Sequence, residues 1–294
     1  MAFRSGFVAI VGRPNAGKST LLNAFLRQKL SIVTPTPQTT RHKILGILNG
    51  EEHQICFLDT PGLLDSAKDG LQAALIRTAR IASRDDCDVL VLVVEPHQPH
   101  EAELTALAGL SRGARPVILA VNKSDTVADK AALKLWAQAY ADALKPVEVH
   151  VISALQRGGV DHLLASIVAR MPESPAYYDT AQLTDRWERF FVEELIRERI
   201  FEQYYEEVPH ACAVQVEEFK EGGPARVSAI IYVEREPQKG IVIGPKGLAI
   251  RQLTKDSEKA LRTFLGRGVA LDLRVKVKQN WRKDAQALKQ FGYQ

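Results

Sequence analysis

The residues from Gly12 to Ser19 (Gly12, Arg13, Pro14, Asn15, Ala16, Gly17, Lys18, Ser19) have the spacing G-x-x-x-x-G-K-S, and Thr20 follows. Glycines at these positions let backbone N–H groups turn inward around phosphate oxygens at a helix N-terminus. Lys18 would neutralise β and γ phosphates, and the Ser19 hydroxyl would ligate Mg²⁺. Asp59, Thr60, Pro61 and Gly62 form a D-x-x-G element further on. Its acid can hold Mg²⁺ through water, and the Gly62 N–H can meet a γ-phosphate. In Asn122, Lys123, Ser124 and Asp125 a buried carboxylate, that of Asp125, can accept two hydrogen bonds from the N1–H and exocyclic amine of guanine. Adenine has no such donor pair, so the expected base is guanine. Ser153, Ala154 and Leu155 supply a backbone N–H for the guanine carbonyl. GTP or GDP with Mg²⁺ is therefore the expected ligand, with Lys18 and Gly62 acting on the reacting phosphate.

Chemistry of this kind needs elements that bring four separated segments together. Phe7 to Val11, Gln54 to Leu58, Val89 to Val94, Pro116 to Val121 and Val147 to Ile152 read as buried strands. Helical patterns near 18–27, 71–82, 101–111, 130–143 and 160–170 alternate with them. The alternation predicts a doubly wound α/β sheet with its site at the carboxyl ends of the strands. Lys43 to Leu48, followed by Asn49 and Gly50, predicts one antiparallel strand paired with the Gln54 strand.

Two prolines in Met171–Pro175 end the alternation, which divides the chain into a first domain at 1–171, a linker at 172–184 and a second domain at 185–294. The second domain is expected to be a small α+β module. An amphipathic helix at about Asp185 to Tyr205 leads to strands at 211–218 and 225–234, joined by the turn Lys220–Pro224. A glycine-bounded loop, a helix to Leu265, a strand at Ala270 to Lys278 and a short closing helix complete it.

The chain has 294 residues, 39 Lys plus Arg and 35 Asp plus Glu, for a formal charge of +4. That composition excludes disorder and collagen, and no apolar run approaches the roughly 20 residues of a membrane span. Cys56, Cys87 and Cys212 lie too far apart to form a local motif, and the N-terminus has no cleavable apolar leader, so the expected location is the cytoplasm. The near-neutral total conceals an asymmetry. Residues 173–237 carry 7 basic and 15 acidic side chains, whereas residues 238–294 carry 13 basic and 4 acidic ones. Such a basic segment calls for an anionic partner, nucleic acid or an acidic lipid surface.

Gly244, Pro245, Lys246 and Gly247 open that basic segment as a G-x-x-G loop before a helix. Such a loop lets a nucleic-acid backbone pack against protein main chain. Lys239, Ile243, Gly244, Pro245, Lys246, Gly247, Arg251 and Lys255 are the candidate RNA-binding residues, with Arg262 in the same electrostatic footprint. Ile241, Ile243 and Ile250 are read as core packing, with cleft lining as the alternative. Trp136, Trp187 and Trp281 are also read as packing residues, and His97 and His100 as a surface loop.

Four elements in fixed order at strand ends define a P-loop GTPase fold. With Pro37, Gln38, Thr39, Thr40 and Arg41, and the run from Leu273 to Lys278 through Gly292 and Tyr293, the whole chain resembles the Era-like family of bacterial GTPases. The resemblance implies a GTPase domain followed by a KH-type RNA-binding domain. It implies that Thr40 closes over Mg²⁺ in the GTP state and acts in hydrolysis, Thr39 being the alternative; the metal set is then Ser19, Thr40 and, through water, Asp59. It further implies binding to the 3′ region of small-subunit (16S) ribosomal RNA and a role in assembling the small ribosomal subunit. A monomer is expected.

The residue after Gly62 is Leu63, where related GTPases carry a water-orienting glutamine, so hydrolysis is expected on the order of 10⁻³ s⁻¹ or slower. Asn15 suggests K⁺ as an accessory cation. The alternative function is a membrane-associated regulator whose basic tail binds anionic lipid at the inner face of the cell membrane.

Overall fold

The computed structural model describes residues 2–293 except 64, 65, 85, 86, 112–114 and 222. Gly222 of the expected turn therefore lies outside the described residues. Two compact units result: Met1–Val33, Thr40–Ala67 and Gln72–Asp185 form the first, and Arg186–Gln294 with Thr34–Thr39 and Lys68–Leu71 form the second.

The first unit is built on six strands: β1 (Arg4–Gly12), β2 (Ile44–Asn49), β3 (His53–Asp59), β4 (Val89–Val94), β5 (Val117–Val121) and β6 (Glu148–Val151). Their order is β2-β3-β1-β4-β5-β6, and only β2 runs antiparallel to its neighbour. All six residues of β4 are buried, as a central parallel strand covered on both faces requires. Helices α1 (Lys18–Leu26), α2 (Gly70–Arg84), α3 (Glu101–Ser111), α4 (Lys130–Leu144) and α5 (Val160–Val168) complete the alternation. Asp129 caps α4, its carboxylate accepting from Ala131 N and Ala132 N. The register sets Ile10 against Asp59, Gly12 against Val93 and Val94 against Val121. The carboxyl ends of β1, β3, β4 and β5 thus lie within about two residues of one level, and their loops open on one edge.

Residues 172–184, expected as a linker, are strapped to this first unit. The buried Gln54 side chain accepts from Tyr177 N and Tyr178 N and donates to the Tyr178 carbonyl. Ile47 N donates to the Leu183 carbonyl at 2.8 Å, and Asn49 Nδ2 to that of Thr180 at 3.0 Å. Two prolines mark the end of the α/β alternation, while strand-edge hydrogen bonds carry the unit on to Asp185.

The second unit holds α6 (Glu188–Gln203), α7 (Val208–Ala211), β7 (Ala213–Lys220), β8 (Ala225–Val233), α8 (Glu236–Ile243), α9 (Leu248–Leu265), β9 (Val269–Val277) and α10 (Ala285–Gln290). β7 and β8 are antiparallel, whereas β8 and β9 are parallel, as the long crossover through α8 and α9 demands. Trp281 is fully buried, its Nε1 donating to the Ala211 carbonyl at 2.8 Å.

Several expectations need correction. α8 replaces the loop read before Gly244, because Pro237 sits in the first turn, where a missing N–H costs nothing, and Gln238 Oε1 accepts from Glu234 N and Arg235 N. The helix read as amphipathic is buried on more than its apolar stripe: Arg197 is 1% exposed and forks onto Glu194, so an internal ion pair supplies what the apolar spacing lacks. Trp187 is 85% exposed and is not a packing residue; it stands at the helix entry, outside the core. Ile241 is 50% exposed, while its neighbour Val242 is the one that packs.

Candidate nucleotide and nucleic-acid sites

The phosphate loop leaves β1 and enters α1 through Gly17, whose φ of 93° is left-handed. A Cβ there would lie 2.2 Å from Asn122 Nδ2, so only glycine lets the base-reading segment close onto the loop. Asn122 fastens that contact, donating from Nδ2 to the Ala16 carbonyl at 2.9 Å and accepting from Ala154 N at 2.8 Å. Three strand ends, those of β1, β5 and β6, are thereby joined through one side chain.

Lys18 is 5% exposed and donates to the Arg13 carbonyl at 2.7 Å. Burial pulls its ammonium down to about 8, against the carboxylates of Asp59 and Glu95. Ser19 Oγ lies 2.6 Å from Asp59 Oδ2 and 2.8 Å from Thr40 Oγ1. Between the two threonines weighed from sequence, Thr40 is the one brought to Ser19; the Thr39 hydroxyl contacts Thr34 Oγ1 and donates to the Thr36 carbonyl. Asp59 is wholly buried, which pushes its carboxyl upward against the Ser19 hydroxyl and the Lys18 ammonium. Its Oδ1 has no hydrogen-bond partner among the described residues. An uncompensated carboxylate oxygen beside two hydroxyls is a donor set for a hard divalent cation, so these residues fit Mg²⁺.

Gly62 crosses close above the loop: a Cβ there would meet Pro14 N and Cα at 2.6 Å. Leu63 N donates to the Gly12 carbonyl at 3.1 Å, and the Leu63 side chain packs against the apolar core around β4 and β5. Arg13, Asn15 and Thr20 complete the loop and the first turn of α1, and Asn15 has a left-handed φ of 64°. At the base-reading end Asp125 is exposed rather than buried, so a carboxylate left unpaired is penalised only once a base covers it. Ser153 Oγ donates to its Oδ1 at 2.5 Å, and Leu155 is 76% exposed. Glu95, which carries no sequence signal, pairs with Lys123 at 2.6 Å. His97 and His100 belong to no group of three His, Cys, Asp or Glu able to hold a metal among the described residues.

In the second unit Gly244, Lys246 and Gly247 all have positive φ, at 70°, 52° and 73°. A Cβ on Gly247 would meet nothing within 4 Å, so its backbone faces open space. Pro245 and Lys246 are exposed, as is Leu248 at 61%, and Ile243 and Ile250 are half-buried. Part of the basic tail is neutralised by the preceding acidic segment: Arg267 pairs with Glu188, Arg274 with Glu217 and Arg282 with Glu234. Arg262 lies 3.4 Å from Glu258, and Lys239 3.8 Å from Glu236. Lys246, Arg251 and Lys255 are exposed and make no ion pair among the described residues, which leaves three cations at the G-x-x-G loop and the start of α9, with Lys259, Lys283 and Lys289 likewise exposed elsewhere in the tail.

These two sites define the class, a P-loop GTPase joined to a KH-type module. A 50S ribosome-binding GTPase family model matches residues 7–123, and a KH domain model matches residues 207–282. The chain belongs to the Era family of GTPases. It is 42% identical over 293 residues to GTPase Era of Elusimicrobium minutum, covering 99% of this chain and 97% of that one. It is likewise 42% identical to GTPase Era of Carboxydothermus hydrogenoformans, covering 100% and 99%. Among solved structures, a variant of Aquifex aeolicus Era bound to GDP·AlF4⁻ superposes with a TM-score of 0.94 at 33% identity over 99% of both chains. Era in complex with MgGDPNP and nucleotides 1506–1542 of 16S ribosomal RNA matches with the same score, identity and coverage.

Proposed function

We propose that this GTPase binds the 3′ region of 16S ribosomal RNA through its Gly244–Gly247 loop and acts in assembly of the small ribosomal subunit, with nucleotide state switching RNA affinity. The observation that carries the reading is an open-backbone loop, left-handed at Gly244, Lys246 and Gly247, flanked by exposed Lys246, Arg251 and Lys255, which make no ion pair among the described residues, in the same chain as the GTP site. A relative of the same fold has been solved with that RNA segment and a GTP analogue.

In the nucleotide site, loop N–H groups from Gly12 to Ser19 and the Lys18 ammonium take the phosphate charge, with Thr20 beside them on α1. Ser19, Thr40 and Asp59 would hold Mg²⁺, which supplies neutralisation of the β and γ oxygens when bound. Gly62 presents its N–H to the γ-phosphate, and Asn122, Lys123, Asp125 and Ser153–Leu155 enclose guanine. Leu63 offers no oxygen to orient water, so turnover stays on the order of 10⁻³ s⁻¹ unless assisted. Asn15 is the residue through which K⁺ would assist; faster phosphate release in K⁺ than in Na⁺ is expected, and equal rates would refute it.

The protein acts as a cytoplasmic monomer in this reading, with none of Cys56, Cys87 and Cys212 in a disulfide. The deciding experiment is binding of a labelled oligonucleotide matching the 16S 3′ tail to protein loaded with a non-hydrolysable GTP analogue or with GDP. Tighter binding with the analogue is expected; equal binding would refute the switch. No helix among the described residues is long and apolar enough to cross a membrane. Peripheral docking of the basic tail on anionic lipid is the competing reading, and salt-sensitive liposome binding that exceeds the RNA affinity would favour it.

A further inference from the structure

We infer that Glu95 is a positioning residue for guanine recognition, its carboxylate fixing the Lys123 side chain and, through it, the turn that presents Asp125. Glu95 is the first residue beyond β4, and Asn122 N donates to the Val94 carbonyl at 2.9 Å, so the ends of β4 and β5 are held side by side. From there Glu95 Oε1 reaches Lys123 Nζ at 2.6 Å, a short charge-assisted contact.

Lys123 is a strained point in this segment. Its φ of 61° is left-handed, a conformation that a residue with a Cβ adopts at a cost. Its carbonyl accepts from Thr126 N at 3.0 Å and Thr126 Oγ1 at 2.8 Å, closing the single turn of 3₁₀ helix Ser124–Thr126 that carries Asp125. Asp125 is held from the other side by Ser153 Oγ. Remove the Glu95 carboxylate, and the side chain of Lys123 loses the anchor that helps keep this turn in place. The pair is about one-third exposed, at 35% and 36%, so its strength is moderate until a bound base excludes water.

The inference rests on guanine occupying this pocket. Inosine diphosphate keeps the N1–H of GDP but lacks the exocyclic amine, so it senses only half of the Asp125 contact. The test is displacement of a fluorescent guanine nucleotide from the full chain by GDP and by inosine diphosphate, in wild type, Glu95→Gln, Glu95→Asp, Lys123→Met and the Glu95→Gln/Lys123→Met pair. Glu95→Gln is expected to weaken GDP roughly threefold to tenfold and inosine diphosphate less, shrinking the preference between them. Glu95→Asp recovers part of that preference, and the double variant is no worse than Lys123→Met alone. Equal losses for both nucleotides, or additive effects of the two substitutions, would overturn the assignment. A wild-type chain that fails to prefer GDP over ADP would overturn guanine recognition itself, a result separable from any of these.

Discussion

The Ser19 hydroxyl donates to Asp59 Oδ2 at 2.6 Å, linking the first helix to the end of β3 while Asp59 Oδ1 is buried with no hydrogen-bond partner among the described residues. A buried charge of this kind is costly until a cation meets it. Asp59→Asn removes the charge and keeps the acceptor for Ser19. Phosphate release should fall at least roughly 10²-fold, and the rise in unfolding temperature that Mg²⁺ and GDP together give the wild type should largely vanish. Steady-state turnover and thermal melts across a magnesium series check both.

Asp125 reads guanine by accepting, so reversing its hydrogen-bonding character should reverse the base. Asp125→Asn offers an N–H to the 2-carbonyl of xanthine, and Ser153 Oγ can still donate to its amide oxygen. GDP affinity should drop roughly 10²-fold and xanthosine diphosphate should become the better ligand. Competition between the two nucleotides for one site measures the exchange.

Glu193 on α6 accepts from Val216 N at 2.8 Å. Burial pushes its carboxyl from 4.5 up to about 7, the Val216 hydrogen bond opposing and the neighbouring Glu194 adding to the rise. Because the folded value lies above the unfolded one, the folded state holds the proton more tightly. The stability this gives is full below about pH 4.5 and is lost as pH rises through about 7. Glu193→Gln keeps the acceptor for Val216 and never ionises. Its unfolding midpoint relative to wild type should therefore increase between pH 5 and pH 8, in denaturant titrations at both; a constant difference would contradict the burial account.

Gly247→Asp places a carboxylate where the phosphate backbone is expected to run. A Cβ there meets nothing, and aspartate tolerates left-handed φ better than most residues, so the fold should lose only about 1 kcal/mol. RNA affinity should fall more than about tenfold, with weaker salt dependence, while GTP hydrolysis without RNA is retained. Filter binding at two salt concentrations, alongside phosphate release, separates these effects.

The GTPase site was legible in the sequence because its chemistry is carried by contiguous residue types at strand ends. Gly12 to Ser19, Asp59 to Gly62 and Asn122 to Asp125 each need a fixed local spacing, and the β/α alternation dictates that they gather on one edge of a parallel sheet. The G-x-x-G loop was legible because its residues are contiguous too, although it joins α8 to α9 and no strand end places it. Tertiary structure alone decided what depends on partners distant in the chain. Thr40 and Thr39 are neighbours with identical chemistry, and only packing turns the Thr40 hydroxyl to Ser19. Charge in the tail is a sum over residues, but which cations remain free depends on acidic groups far away, such as Glu217 opposite Arg274. Gln54 lies 124 residues from Tyr178, and its side chain makes the expected linker part of the first unit. Arg197 and Glu194 disguise a buried helix face as a polar one, because a charge paired inside a protein is indistinguishable in sequence from a charge facing water.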